Sequence, residues 1–226
     1  MISWDDYWKN YSISKAERWI VRQRHEVICG ILDKMTEKPV KVLEIGCGFG
    51  SNLRLIKADR EDAECTALDN SPVAIEKISE EIPDAVTADC CATGLPDNTY
   101  DLIYSSGLME HFRDETPLIR ESRRILKEGG ILLTFVPGKI SLWQLYRLLH
   151  FGNWKHGYEK SYTASSLKNI FTENGFEIEF SGGNDPFSIN GFIMKALNVS
   201  YNPLFGKSIL PSGYSEIYTA ARKKSK

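Results

Sequence analysis

The apolar run at residues 40–45 (VKVLEI) ends on three closely spaced glycines, Gly46, Gly48 and Gly50. A run this short, closed by a glycine cluster, predicts a strand buried on both faces. Residues 52–57 (NLRLIK) restart a helical pattern immediately afterwards. A strand feeding through a glycine turn into a helix is the crossing where open α/β sheets bind nucleotide-type ligands. In such a turn Gly46 takes backbone angles that other residues resist. Gly48 lets the main chain approach a ligand, and Gly50 lets the helix pack near the strand. The helix start also presents unpaired N–H groups.

The same rhythm repeats downstream. Residues 64–68 (ECTAL) read as a strand closed by Asp69, and Ser71 and Pro72 read as the cap and first turn of a helix reaching about Ile82. Residues 85–88 and 100–105 (YDLIYS) are further strands. Residues 117–126 read as a helix stopped by Glu128, Gly129 and Gly130, and 131–136 (ILLTFV) as a strand. Alternating strands and helices imply a mostly parallel sheet with helices on both faces. Upstream, residues 3–32 read as one helix. Beyond Pro137, residues 140–151 read as an apolar helix and 166–174 as another helix. Residues 176–180 and 217–221 read as strands, and 186–211 as irregular. No repeat or low-complexity linker divides the chain, so one domain is expected over residues 1–226. It comprises a helical, aromatic lid at 1–35, a cofactor-binding core at 40–136, and substrate-side insertions at 138–160 and 183–212.

The glycine pattern departs from the dinucleotide fingerprint G-x-G-x-x-G, which places a diphosphate at the helix start. Here it is Glu44-Ile45-Gly46-Cys47-Gly48-Phe49-Gly50. A carboxylate two residues before the first glycine suits a ligand carrying an ammonium group and would do little for a diphosphate.

With this motif the sequence resembles the class I S-adenosylmethionine-dependent methyltransferases, and within them the small-molecule group that includes the quinone-biosynthesis enzymes. The resemblance covers residues 40–136 and extends to 162–180 (YTASSLKNIFTENGFEIEF). It implies a Rossmann-like α/β fold with a seven-stranded, mostly parallel sheet whose last strand is antiparallel, carrying helical lid insertions. It also implies S-adenosyl-L-methionine as cofactor, with S-adenosyl-L-homocysteine as product. Asp69, at the end of the second strand, then takes the ribose hydroxyls, since a carboxylate accepts two hydrogen bonds at once. Asn70 and Ser71 follow it and share helix capping. Asp89 accepts from the adenine amine, and the Cys90 N–H contacts the ring. Residues 100–112 (YDLIYSSGLMEHF) match the segment beside the methionine part, placing Ser106 and Gly107 near the sulfonium. Residues 123–130 (RRILKEGG) match the segment before the fifth strand, with Glu128 where the common form has proline. The expected cofactor set is Glu44, Gly46, Cys47, Gly48, Gly50, Asn52, Asp69, Asn70, Ser71, Asp89, Cys90, Ser106 and Gly107. Glu110 and His111 are the catalytic candidates, His111 as a general base near neutral pH; the alternative reading is that the pair supports the loop.

Net charge is −2 at pH 7, which argues against a dedicated nucleic-acid binder. The asparagine-proline-proline-aromatic signature for amino groups on adenine or glutamine is absent. The five cysteines fit no zinc spacing, so no metal is expected, and reduced thiols point to the cytoplasm. The opening MISWDDYWKNY is acidic and aromatic, unlike a signal peptide, and no apolar run is long enough to insert stably in a membrane. The partner is expected to be a small acceptor, partly apolar or aromatic, with the chain a monomer or homodimer. The aromatic residues Trp4, Tyr7, Trp8, Tyr11 and Trp19, together with residues 140–158 and 187–205, are the candidate acceptor-side lid. The competing readings are an NAD-type oxidoreductase and a non-catalytic module that binds S-adenosylmethionine.

Overall fold

The computed structural model describes residues 3–139, 158–184 and 216–224. The expected helix at 140–151, the aromatic and histidine positions within it and up to 157, and the irregular stretch at 186–211 lie outside the described residues. The elements run α1 (Trp4–Lys9), α2 (Lys15–Leu32), β1 (Val40–Ile45), α3 (Ser51–Asp59), β2 (Ala63–Asp69), α4 (Pro72–Ser79), β3 (Ala85–Thr87) and β4 (Tyr100–Ser106). After a short 3-10 turn, Met109–His111, come α5 (Thr116–Ile125), β5 (Leu126–Pro137), α6 (Ala164–Glu173), β6 (Phe176–Asn184) and β7 (Glu216–Lys223).

The sheet has seven strands in the order β3-β2-β1-β4-β5-β7-β6. β1 to β5 pair in parallel, and β7 runs antiparallel between β5 and β6. Successive side chains of a strand face opposite sides, and β1 divides its residues accordingly. Val42 joins a core with Ile28, Leu32, Leu53, Ile56 and Ile78 from α2, α3 and α4. Leu43 joins a second core with Leu118, Ile125, Leu167 and Phe171 from α5 and α6. Both strand faces are therefore covered by helices, which explains the nearly continuous apolar reading of β1. No helix among the described residues is long and apolar enough to cross a membrane.

Two local expectations are corrected. Residues 3–32 form two helices, because Ser14 and Glu17 close a capping box in which each side chain accepts the other's backbone N–H. That box starts a new helix at Lys15, while Asn10 ends the first by donating its N–H to the Tyr7 carbonyl. The second correction concerns Glu128, Gly129 and Gly130, which do not stop α5. The helix has already ended at Ile125, and Leu126 is extended (φ −76°, ψ 137°). The three residues lie inside β5, where its register against β4 shifts between Tyr100 and Leu102. The pair of glycines thus bulges a strand.

The β1–α3 turn is held by backbone geometry. The Leu68 carbonyl accepts from the Gly46 N–H (2.7 Å) and the Cys47 N–H (3.0 Å). Gly50, at φ +64°, caps α3 in the left-handed region, and a Cβ built there would stand 1.9 Å from Ile78 Cδ1. Gly50→Ala is therefore expected to destabilise the protein by about 1–2 kcal/mol from the backbone alone, and by more from overlap with Ile78. Removing that methyl by Ile78→Val should reduce the penalty of Gly50→Ala in a double-mutant cycle measured by urea unfolding. Additive losses would show that Ile78 yields freely and that the backbone angle is the whole cost.

Candidate active site

Strands β1, β2 and β4 deliver their C-terminal ends to one edge of the sheet, where the crossover direction reverses between β1 and β4. In open α/β sheets that reversal opens the ligand crevice. Two cavities occupy it, of about 290 Å³ and about 230 Å³. They share Trp4, Trp8, Gly46, Gly107 and His111 as lining. The larger continues along the glycine turn and is lined by Glu44, Cys47, Gly50, Asn52, Ser106 and Glu110. The smaller continues past Leu68, Asp69, Asn70, Cys90, Leu108 and Phe112.

Most of the residues singled out from sequence thus meet in one crevice, though in different ways. Asp69 is buried, and its two oxygens accept from the backbone N–H groups of Gly48 (2.8 Å) and Ser71 (2.9 Å). The Asn70 N–H also donates to this carboxylate, so only the acceptor capacity left over is open to a ligand. Ser71 caps α4 through the Ala74 N–H, and its hydroxyl donates to Asp5 of α1. Asn52 lines the larger cavity while its side-chain amide donates to the Val21 carbonyl (2.7 Å), fastening α2 to α3. Gly48 is approached closely by protein: a Cβ there would lie 2.2 Å from the Trp8 ring. Asp89 is exposed and does not line either cavity; its Oδ1 accepts from the Cys91 N–H (2.8 Å). Asp89, Cys90 and Cys91 bring potential metal-ligand atoms within 4.8 Å of one another. Burial raises both thiols, Cys90 more strongly, and so opposes the thiolate form that a metal needs.

The catalytic candidates sit on the 3-10 turn after β4. The Tyr158 carbonyl accepts from His111 Nδ1 at 3.0 Å. A carbonyl only accepts, so that nitrogen carries the proton, and Nε2 of the neutral ring holds the free lone pair. The His111 ring packs edge-on against Trp4, with centroids 5.1 Å apart. Glu110 is 4% exposed, and its Oε2 has no hydrogen-bond partner among the described residues. The turn is pinned from behind: Lys160 N–H donates to the Glu110 carbonyl (3.0 Å), and the Tyr162 hydroxyl shares its proton between the Met109 carbonyl and Glu115.

Burial, with the nearby Glu159 adding to it, pushes the Glu110 carboxyl up to about 8. Burial likewise lifts Glu44 to about 8, against the pull of the Tyr104 hydroxyl, which donates to it at 3.0 Å. Arg24 of α2 also lines the larger cavity, but it is bound bidentately by Glu216 of β7. Sequence reasoning missed Arg24, Glu159 and Glu216. Arg24 and Glu216 are 192 positions apart, and no local pattern connects them. Glu17, which also lines this cavity, was legible as the last residue of the capping box Ser14-x-x-Glu17.

A family model for a methyltransferase domain matches residues 20–179. Demethylmenaquinone methyltransferase of Thermotoga maritima is 30% identical over 168 residues, covering 63% of this chain and 72% of that enzyme. Trans-aconitate 2-methyltransferase of Methylobacterium radiotolerans is 31% identical over 106 residues, covering 46% of this chain and 41% of that enzyme. The solved structure of Haemonchus contortus phosphoethanolamine N-methyltransferase 2 in complex with S-adenosyl-L-methionine shares the fold. Its TM-score is 0.66 at 17% identity, covering 100% of this chain and 61% of that one. The chain spans less than half the length of several of the curated relatives it matches.

Because Glu44 and Glu110 hold their protons up to about pH 8 when folded, against 4.5 ordinarily, the folded chain binds more protons than the unfolded one between those values. Their stabilising contribution is complete below that window and is lost as pH rises through it. Urea unfolding should therefore show stability falling across this range. Glu110→Gln, which cannot ionise, should flatten the fall and gain about 1 kcal/mol or more at pH 8. A variant with the wild-type slope would show that Glu110 ionises freely in the folded protein.

Proposed function

Since the chain belongs to the methyltransferase-domain family whose model matches residues 20–179, we propose that it moves a methyl group from S-adenosyl-L-methionine to a small-molecule acceptor by direct displacement. The observation that carries this reading is the pair of cavities joined at Gly46 and Gly107, one bordered by Asp69 and the other by Glu44 and Glu110. Such a crevice suits a ligand with a nucleoside at one end and an amino acid at the other. Buried polar atoms without partners among the described residues also point to a polar occupant: Ser106 Oγ and Glu110 Oε2 belong to residues bordering the larger cavity.

The donor, when bound, supplies a methyl group made electrophilic by a sulfonium. The chain's own residues position and shield. Glu44, with Gly46, Cys47, Gly48, Gly50 and Asn52 shaping the turn, is assigned to the ammonium end. An ammonium beside Glu44 would draw its carboxyl back toward the ionised form. Asp69 is assigned to the ribose hydroxyls, with Asn70 and Ser71 completing the corner. Asp89 and the Cys90 N–H are assigned to the base. Ser106 and Gly107 border the reacting centre. His111 Nε2 and Glu110 are the groups placed to receive a proton from the acceptor. Alignment and exclusion of water are the main contributions expected of such a site, worth on the order of 7–11 kcal/mol.

The relatives' acceptors differ in charge: trans-aconitate is an acid, demethylmenaquinone a quinone and phosphoethanolamine an amine-bearing phosphate. The acceptor here is read as small and partly aromatic, on the strength of Trp4, Tyr7, Trp8 and Tyr11 around the larger cavity. Cytoplasmic residence and a monomer or homodimer accompany this reading. Family membership weighs against an NAD-type oxidoreductase.

Calorimetric titration with S-adenosyl-L-homocysteine, and with NAD as the contrast, tests the proposal; absence of measurable affinity for the first overturns it. Asp69→Asn keeps one acceptor oxygen for the turn and should weaken that binding about tenfold or more. The variant should still unfold cooperatively, at a lowered thermal midpoint because one of the two turn N–H groups loses its acceptor. Wild-type affinity in this variant would remove the ribose assignment. Transfer of labelled methyl to any small acceptor would exclude the non-catalytic reading.

A further inference from the structure

S-adenosyl-L-methionine carries a carboxylate on the same carbon as its ammonium, so both groups enter the larger cavity together. A carboxylate taken out of water costs free energy until hydrogen-bond donors meet it. Among the described residues lining that cavity, Arg24 and His111 are the basic side chains. His111 has its Nδ1 taken up by the Tyr158 carbonyl. Arg24 stands close enough to Glu44, the residue given to the ammonium, to draw its carboxyl down against burial.

Helix spacing brings Arg24 to this wall. Glu17, Ile20, Val21 and Arg24 recur at steps of three and four along α2 and line the same cavity. The wall is fixed one turn away, where the Val21 carbonyl accepts from Asn52. The Arg24 guanidinium lies over the Phe135 ring of β5, 5.8 Å from its centroid. Glu216 takes one edge of the fork: its two oxygens accept from Nε at 3.0 Å and 3.2 Å, and Oε1 also accepts from Nη2. Asn184 donates to Glu216 Oε2 (2.8 Å) and so holds that carboxylate on β7. A guanidinium has more N–H donors than one carboxylate can use. Arg24 Nη1 makes no hydrogen bond among the described residues. The side chain also keeps 19% of its surface exposed, so Glu216 orients the fork without covering it.

Resting on the methyltransferase reading, we propose that Arg24 binds the donor's carboxylate through Nη1, away from the edge of its guanidinium that Glu216 holds. The donor's two charges are then read by separate elements, the ammonium by Glu44 of β1 and the carboxylate by Arg24 of α2. Arg24 is thereby the residue that makes the site demand an intact amino-acid end. Glu216 acts through it as a positioning residue.

The test compares S-adenosyl-L-homocysteine with its decarboxylated form, which keeps the ammonium and has hydrogen in place of the carboxylate. Calorimetry on the full chain is expected to show the intact ligand binding about tenfold or more tightly. Arg24→Gln should cut that preference to less than about threefold by weakening the intact ligand alone. Arg24→Lys keeps a cation beside Glu216 and is the variant expected to fold if Arg24→Gln does not. Its single ammonium is committed to Glu216, so its preference should also fall below about threefold. A loss of stability by itself would weaken both ligands alike and leave the preference intact. Equal binding of the two ligands by the wild-type chain would overturn the assignment. So would the wild-type preference persisting in the Arg24 variants, which would leave Arg24 as a structural partner of Glu216. Failure to bind S-adenosyl-L-homocysteine at all would instead overturn the methyltransferase reading beneath it.

Discussion

The Leu68 carbonyl, taking hydrogen bonds from both Gly46 and Cys47, ties the end of β1 to the end of β2 and so decides the path of the turn that follows. Asp69, the next residue along β2, repeats the tie from the side chain by accepting from the Gly48 N–H. Between them these three bonds bend the chain back over the sheet edge. Gly46, Gly48 and Gly50 all lie at positive φ, where residues with a Cβ are strained. The rest of the site depends on that bend. It sets where α3 begins, and Asn52 in the first turn of α3 then anchors α2 through the Val21 carbonyl. α2 in turn carries Arg24 to Glu216 on β7, so the glycine turn is linked to the far side of the sheet.

The same geometry concentrates ionisable groups where water is scarce. Glu44 and Glu110 border one cavity, and both are lifted well above the ordinary carboxyl range chiefly by burial. Tyr104 offsets part of that burden at Glu44 through its hydroxyl, whereas the second oxygen of Glu110 has no such partner among the described residues. Buried polar groups are normally satisfied, so an orphan of this kind marks a place where stability has been given up. The turn that holds Glu110 is nevertheless well fixed, by Lys160 and Tyr162 from behind and by His111 to the Tyr158 carbonyl. A rigid support beneath an unsatisfied group is the arrangement a binding site needs.

Much of the architecture was legible because its signals are local. β1 was read with its full bounds, since an apolar run closed by glycines admits few alternatives. Ser71 and Pro72 announced α4 through side-chain capping and a fixed φ, both properties of adjacent residues. The misread elements have physical reasons too. The break between α1 and α2 lies in the Ser14–Glu17 box, whose signal was overridden by the helical spacing on either side. Gly129 and Gly130 look like a helix stop, but pairing of β5 with β4 draws them into a strand as a bulge. In the site, Asp69 and the glycine turn stood out through spacing. The exposure of Asp89, the Trp8 ring over Gly48 and the bonding of Arg24 to Glu216 did not.

By itself the sequence determined the alternation of strands and helices, the turn that ends β1 and the chemical character of the residues there, because hydrophobic period, capping and glycine placement act between near neighbours. Only the tertiary structure decided which charges face one another. It brought Glu17, Glu44, Glu110 and Glu159 to one cavity from four separate segments and paired the nearby arginine with β7. Burial and Coulomb interactions depend on distance in space, and chain closure over the sheet sets those distances without leaving a periodic trace in the sequence.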